Sequence, residues 1–183
     1  MVVSPVTGKS RTILEEEISA KDVIKSYRER FNIDVSRELT GIKNLKIYRC
    51  IDTGYRFFYP FNIAGGSSLY EELQKVSWYY TPWKWEHNFS INLIDRDQTV
   101  LEVGCGKGSF LKEANRVKSA KCIGLELNKD STFECNEFSI FNEYIEEFSE
   151  KHIEEFDVVC SFQVLEHISD VKSFIEAKVK CLK

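Results

Sequence analysis

Thr99-Val100-Leu101-Glu102-Val103-Gly104-Cys105-Gly106-Lys107-Gly108-Ser109-Phe110 decides how this chain is read. Thr99 to Val103 is β-branched and apolar with no turn former, the composition of a short buried strand. Three glycines at alternate positions follow, and Ser109-Phe110-Leu111-Lys112-Glu113-Ala114 then opens a helix. Glycine is needed where backbone bends sharply and approaches a ligand with no Cβ in the way. The helix beyond presents N–H groups that lack intrahelical partners. The expected unit is a strand that delivers a ligand-binding loop at its carboxyl end, where open α/β sheets hold nucleotides.

Spacing narrows the ligand. A dinucleotide fingerprint reads G-x-G-x-x-G, its third glycine placed for helix–strand packing over a pyrophosphate. Here Gly108 comes one place early and Ser109 stands where that glycine belongs. Glu102, two residues before Gly104, would repel a pyrophosphate and suits a ligand that carries an amino group. A P-loop is excluded because Lys107 lies between glycines and no Gly-Lys-Ser/Thr follows. An NAD-dependent oxidoreductase is therefore the lesser alternative.

Two further strings extend the pattern. Lys121-Cys122-Ile123-Gly124-Leu125-Glu126 reads as a second strand ending in an acid, at about the distance where a carboxylate meets ribose hydroxyls. Phe156-Asp157-Val158-Val159-Cys160-Ser161-Phe162-Gln163-Val164-Leu165-Glu166-His167 reads as a later strand and its loop. E-x-G-x-G-x-G, the strand-end acid and F-D-V-V…V-L-E-H-I, in that order, resemble Rossmann-like (class I) methyltransferases that use S-adenosylmethionine (SAM). The likeness is to the small-molecule members, ubiquinone-pathway O-methyltransferases among them, and runs from about Glu86 to the last residue.

That resemblance implies an α/β fold whose Rossmann-like parallel sheet holds strands 1–4 of a seven-stranded architecture. It implies SAM as cofactor and a small-molecule methyl acceptor, with oxygen, nitrogen and carbon acceptors all open. Gly104, Gly106 and Gly108 would form the cradle, with Cys105 and Lys107 contributing mainly backbone. Glu102 would orient the methionine ammonium, directly or through water, and Glu126 would clamp the ribose. Leu127 would pack beside the adenine, and Glu143 or Asn142, after a third strand over 138–141, would meet its amino group. Phe162 and Gln163 would hold the amino-acid end by backbone. Two readings of Glu166 and His167 stand. They are first-turn residues of the next helix satisfying backbone donors, or His167 deprotonates a substrate hydroxyl. His87 and His152 read as packing or surface residues.

Composition sets bounds. The chain has 183 residues, 43% hydrophobic and 30% charged, ordinary for a globular protein. A net charge of −4 gives no basic field for nucleic acid. The apolar stretches are too short to span a membrane, and no secretory signal is visible. Six cysteines form no C-x-x-C pair, which points to a reducing, cytoplasmic setting and excludes a radical iron–sulfur site. Oligomeric state is not legible.

The first part of the chain reads as a small α+β module over 1–66, followed by the SAM-binding domain over 67–183. Val23, Ile24, Tyr27 and Phe31 have helical spacing, and strands over 45–50 and 55–59 flank Asp52-Thr53-Gly54 as a hairpin. Ser67 or Ser68 would cap the next helix. The module resembles one found on some bacterial methyltransferases with two C-x-x-C-G zinc knuckles. Here those knuckles read Ser4-Pro5-Val6-Thr7-Gly8 and Cys50-Ile51-Asp52-Thr53-Gly54, one thiol of four. Tetrahedral zinc needs four good ligands, so the expectation is a hydrogen-bonded relic with no metal. Asp52-Thr53-Gly54 also mimics an aspartic-protease triplet, but no second acid-bearing copy occurs.

Tyr79-Tyr80-Thr81-Pro82-Trp83-Lys84-Trp85 is the densest aromatic segment. It is either a cluster packed on the domain or a cover in which Tyr79, Tyr80 or Trp85 closes over a bound sulfonium. After a last helix from Val171, the string lacks the Pro-Gly-Gly and three further strands of the resembling family. The expectation is an incomplete domain, weakly active or inactive alone, with a strand near 157–162 at its sheet edge. A non-catalytic SAM-binding or assembly module is the alternative from a different class.

Overall fold

The computed structural model describes residues 1–63, 65–76, 81, 83–128, 133–134 and 137–183. The chain forms two compact units, Met1–Thr81 and Pro82–Lys183. The division falls later than the expected joint at 66/67. The helix at Ser67–Gln74 belongs to the first unit because its Leu73 is buried in that unit's core with Ala20, Leu39 and Leu45.

The first unit is an antiparallel sheet of β1 (Thr12–Ser19), β2 (Asn44–Cys50) and β3 (Arg56–Tyr59), in that order, with α1 (Ala20–Phe31) and α2 (Ser67–Gln74). The expected hairpin forms as β2–β3, with Lys46 opposite Tyr59 and Arg49 opposite Arg56. β1 is not foreseen from the sequence, since three consecutive glutamates obscure any alternation. Its charges are matched across strands instead. Glu15 pairs with Arg49 and Arg56, and Glu17 with Lys46. Such exposed pairs set pairing partners more than they add stability. Gly66 is the N-cap of α2, so neither Ser67 nor Ser68 caps it.

The two knuckle strings meet in this unit as mirrored turns. Gly8 N–H donates to the Ser4 carbonyl and Gly54 N–H to the Cys50 carbonyl, at 3.0 and 2.8 Å. Ser4 and Cys50 are buried, and the Thr7 hydroxyl lies 3.8 Å from the Cys50 sulfur. Hydrogen bonds from Ser4 and Thr53, aided by backbone N–H groups, hold the Cys50 thiol down to about 6 against the opposing effect of burial. One thiol and three hydroxyls at the four knuckle positions do not fit tetrahedral zinc.

The second unit contains α3 (Trp85–Ser90), β4 (Thr99–Val103), α4 (Ser109–Lys118), β5 (Lys121–Leu125), β6 (Phe133–Glu134), β7 (Phe138–Phe141), α5 (Ile145–Phe148), β8 (Val158–Cys160) and α6 (Val171–Cys181). The sheet order is β6-β7-β5-β4-β8. β7, β5, β4 and β8 run parallel, and the two-residue β6 pairs antiparallel to β7. β4 is buried along nearly its whole length because both sheet faces are covered. Val100, Cys122 and Ile140 pack with Phe110, Leu111 and Ala114 of α4 on one side. Leu101, Val103 and Leu125 pack with Phe148, Phe174 and Cys181 on the other. β8 is the expected edge strand. Asp157 anchors its start by accepting from the Thr99 N–H and hydroxyl at 2.8 and 2.7 Å. No helix among the described residues is long and apolar enough to cross a membrane.

Candidate functional site

The register sets the carboxyl ends of three strands level. Val103 stands beside Leu125 and Glu102 beside Cys160, so Gly104, Glu126 and the loop 161–164 share one edge. Successive strands move from β4 to β5 and β7, and β8 then lies on the opposite side of β4. Strand order therefore reverses between β4 and β8, and a crevice outside such a reversal is where open α/β sheets bind ligands.

The glycine bend is built as its spacing requires. Gly104 and Cys105 donate N–H bonds to the Leu125 carbonyl, and Gly108 N–H closes onto the Cys105 carbonyl. Gly104 has φ +76°, and a Cβ there would lie 2.4 Å from Cγ2 of Val164. Gly106 has φ +55°, yet a Cβ there would meet no atom within 4 Å. The first glycine is held by conformation and packing, the second by conformation and an open cradle.

Glu126 follows β5 and turns its carboxylate onto this bend. Its Oε2 accepts the Gly106 N–H at 2.9 Å and its Oε1 accepts the Asn128 N–H at 3.0 Å. Glu102 lies beneath, only 3% exposed, with Oε2 out of contact with solvent and without a hydrogen-bond partner. Burial pushes its carboxyl up to about 8, opposed by the charge of Lys84 and reinforced by that of Glu126. A buried acid with an unmet acceptor is the kind of group that a cationic ligand satisfies. Cys105 and Cys122 are raised by the same burial, Cys122 to about 12, which makes them inert core thiols.

The structure brings Glu102, Gly104, Cys105, Gly106, Gly108 and Glu126 together. Leu127 is half exposed at the rim. Phe162 lies edge-on to Phe110 at 4.8 Å, and Gln163 adopts φ +55°. Of the two residues considered for the adenine side, Glu143 is tied to Lys151 at 2.7 Å, whereas the Asn142 amide donates to the Glu126 carbonyl at 2.9 Å. Trp85 is 74% exposed, and Tyr79 and Tyr80 lie outside the described residues.

Glu166 and His167 do not open the next helix. They sit in a separate 3-10 turn, Leu165–His167, and α6 begins at Val171 because Asp170 caps it by accepting the Ser173 N–H.

Sequence reasoning touched α3 only through Trp85 and read His87 as a packing or surface residue; it gave Glu86 no role. His87 is buried, 4.7 Å from Phe162 and 5.4 Å from Phe110 between ring centroids. Burial lowers its pKa, so its Nδ1 is free to accept the Lys84 N–H. Glu86, one residue earlier, accepts from the Gln163 side-chain amide at 3.2 Å. No motif marks these residues, and only their place just before the glycine-bearing strand hints at them.

A model of the methyltransferase-domain family matches residues 78–183, more than half of the chain. The chain belongs to this methyltransferase family. Among curated relatives, the mitochondrial ubiquinone biosynthesis O-methyltransferase of Dictyostelium discoideum is 30% identical over 101 residues, covering 46% of this chain and 32% of that protein. The ubiquinone biosynthesis O-methyltransferase of Aliivibrio fischeri is 35% identical over 92 residues, covering 46% of this chain and 39% of that protein. The match thus spans about a third to two-fifths of these relatives' length. A SAM-dependent methyltransferase structure from Archaeoglobus fulgidus is 21% identical with a TM-score of 0.48, covering 54% of this chain and 46% of that one. The cofactor that the methyltransferase domain implies is SAM, and the orphaned Glu102 oxygen, the open cradle at Gly106 and the carboxylate of Glu126 fit it.

Proposed function

We propose that the second unit binds SAM in the crevice between β4 and β8 and serves methyl transfer to a small-molecule acceptor. One observation carries this reading: the Glu126 carboxylate rests on the Gly106 N–H, at the lip of a bend whose middle glycine leaves open space. Ribose hydroxyls would meet that carboxylate, and Leu127 and Asn142 would border the adenine in place of Glu143. Glu102 would face the methionine ammonium, and the backbone at Phe162 and Gln163 would hold the amino-acid end.

Bound there, the cofactor supplies a methyl group already activated on a positive sulfur. The chain's own work is to orient, to align the acceptor in line and to exclude water. His167, on the turn beside the crevice loop, is the base proposed for an acceptor that must lose a proton. The names of the curated relatives favour a hydroxyl acceptor. By analogy, the likeness of the first unit to a knuckle-bearing module favours a sugar or cell-envelope precursor. The proposed working boundary places the SAM-binding domain in Pro82–Lys183, the second compact unit.

Calorimetric titration of the chain with S-adenosylhomocysteine and with NADH tests this. Saturable one-to-one binding of the first and none of the second is expected. NADH binding with no response to S-adenosylhomocysteine would replace the reading with that of an oxidoreductase.

A further inference from the structure

Two of the three buried carboxylate oxygens without a partner among the described residues belong to the second unit, Glu102 Oε2 and Glu86 Oε2. An acceptor in that state forfeits its hydration without replacement, so each needs an explanation. Glu102 has one in its raised pKa and in the ammonium assigned to it. Glu86 has no such partner assigned.

Its surroundings are specific. Oε1 takes the Gln163 amide, which leaves Oε2 as the unspent acceptor of a fixed carboxylate. Gln163 holds φ +55°, a conformation uncommon outside glycine, asparagine and aspartate. Residues kept in such conformations cluster where a binding site has to be held in shape. Val164, the next residue, packs where a Cβ on Gly104 would go, so this loop lies directly against the glycine bend. α3 is fastened to the same place by His87, Phe162 and Phe110. Glu86 therefore stands at the β8 side of the crevice, beyond Gly104. Glu126 marks the opposite, β5 side. Lys84, the nearby cation, exerts its charge on Glu102 and His87. No ion pair involving Glu86 occurs among the described residues.

We propose that Glu86, held by Gln163, presents its free carboxylate oxygen to the sulfonium end of the ligand and selects the charged cofactor over its neutral spent form. This deepens the SAM-binding reading and rests on it. The sulfur carries a full positive charge before transfer and none afterwards. A fixed carboxylate in a partly desolvated crevice discriminates between those two states. Because the attraction vanishes as the charge is lost, it holds the ground state and helps the spent ligand leave; it does not lower the chemical barrier. Glu86 is thus a specificity-determining residue.

The test is calorimetric titration of the full chain with three probes: SAM, S-adenosylhomocysteine, and sinefungin, in which a carbon bearing an ammonium replaces the methyl-bearing sulfonium. The unsubstituted chain is expected to bind SAM and sinefungin about tenfold more tightly than S-adenosylhomocysteine, the scale of one fixed opposite charge. Glu86→Gln should bring all three affinities to within about threefold of one another. Gln163→Gly, which relieves the backbone strain while freeing Glu86, should narrow the gap in the same direction and covers the case in which Glu86→Gln fails to fold. A gap that persists in both variants overturns the proposal. So does an equal loss for all three probes in Glu86→Gln, which would place Glu86 on the α-ammonium that all of them share. If no probe binds the unsubstituted chain, the SAM-binding reading fails first and this inference falls with it.

Discussion

Gly104→Ala is expected to destabilise the second unit by roughly 2–5 kcal/mol, while Gly106→Ala leaves it folded and removes ligand binding. A non-glycine residue at φ +76° carries about 1–2 kcal/mol of backbone strain. The added Cβ at Gly104 would also sit 2.4 Å from Val164, a β-branched side chain with little freedom to turn aside. At Gly106 only the backbone strain applies, since nothing lies within 4 Å of the new methyl group. That methyl would fill the cradle next to the Gly106 N–H that Glu126 accepts. Thermal melts read the first effect and S-adenosylhomocysteine titration reads the second. If both variants lose stability alike and neither loses affinity selectively, the bend is only a tight turn.

The second large effect is on pH dependence, through Glu102. Its carboxyl is pushed up to about 8 in the fold, whereas an unfolded chain would titrate it near the ordinary glutamate value of about 4.3. Between those values the folded state keeps a proton that the unfolded state has released. The stabilisation is therefore fully present below about pH 4.3 and declines as pH rises through about 8. Up to a few kcal/mol rides on this single group, since each tenfold difference in proton affinity between the folded and unfolded chain is worth about 1.4 kcal/mol. Urea melts of the chain across pH 5–8 should show the decline, and Glu102→Gln should flatten it. A ligand ammonium meeting Glu102 would favour ionisation. Binding near pH 7 should then release protons, visible as a dependence of the calorimetric heat on the buffer. An unchanged pH slope in Glu102→Gln would mean that the proton is held elsewhere.

How much of the fold and site is legible in the sequence depends on the kind of residue. Gly104, Gly106 and Gly108 are readable because glycine spacing encodes backbone conformation directly, and all three have positive φ. Glu126 is readable because strand length and helix length fix its distance from the bend. The parallel sheet is legible through the resemblance that these motifs carry, and β7, β5, β4 and β8 form it. Long-range pairing is harder. β1 hides behind Glu15-Glu16-Glu17, whose partners Arg49, Arg56 and Lys46 lie some thirty to forty positions away and announce nothing locally. The compact units divide after Thr81 rather than at the loop-like Gly65-Gly66-Ser67-Ser68, because Leu73 beyond that loop fills the first unit's core.

Side-chain direction is hardest of all. Asn142 and Glu143 are neighbours with similar chemistry, and only Lys151 decides which of them is engaged elsewhere. Asp170 ends the fate of Glu166-His167 as helix starters, a capping choice made four residues downstream of Glu166. Glu86 and Gln163 sit 77 positions apart; Gln163 lies in a legible motif, but nothing local announces that its side chain reaches Glu86.

In the proposed complex a sulfonium nucleoside lies on the glycine bend with its ribose on the Glu126 carboxylate. Titrating the chain and its Glu126→Ala variant with S-adenosylhomocysteine tests it most directly. Loss of charge-assisted hydrogen bonds to the ribose predicts an affinity about tenfold to a hundredfold weaker, with the melting temperature little changed. Equal affinity for the two proteins would contradict the account.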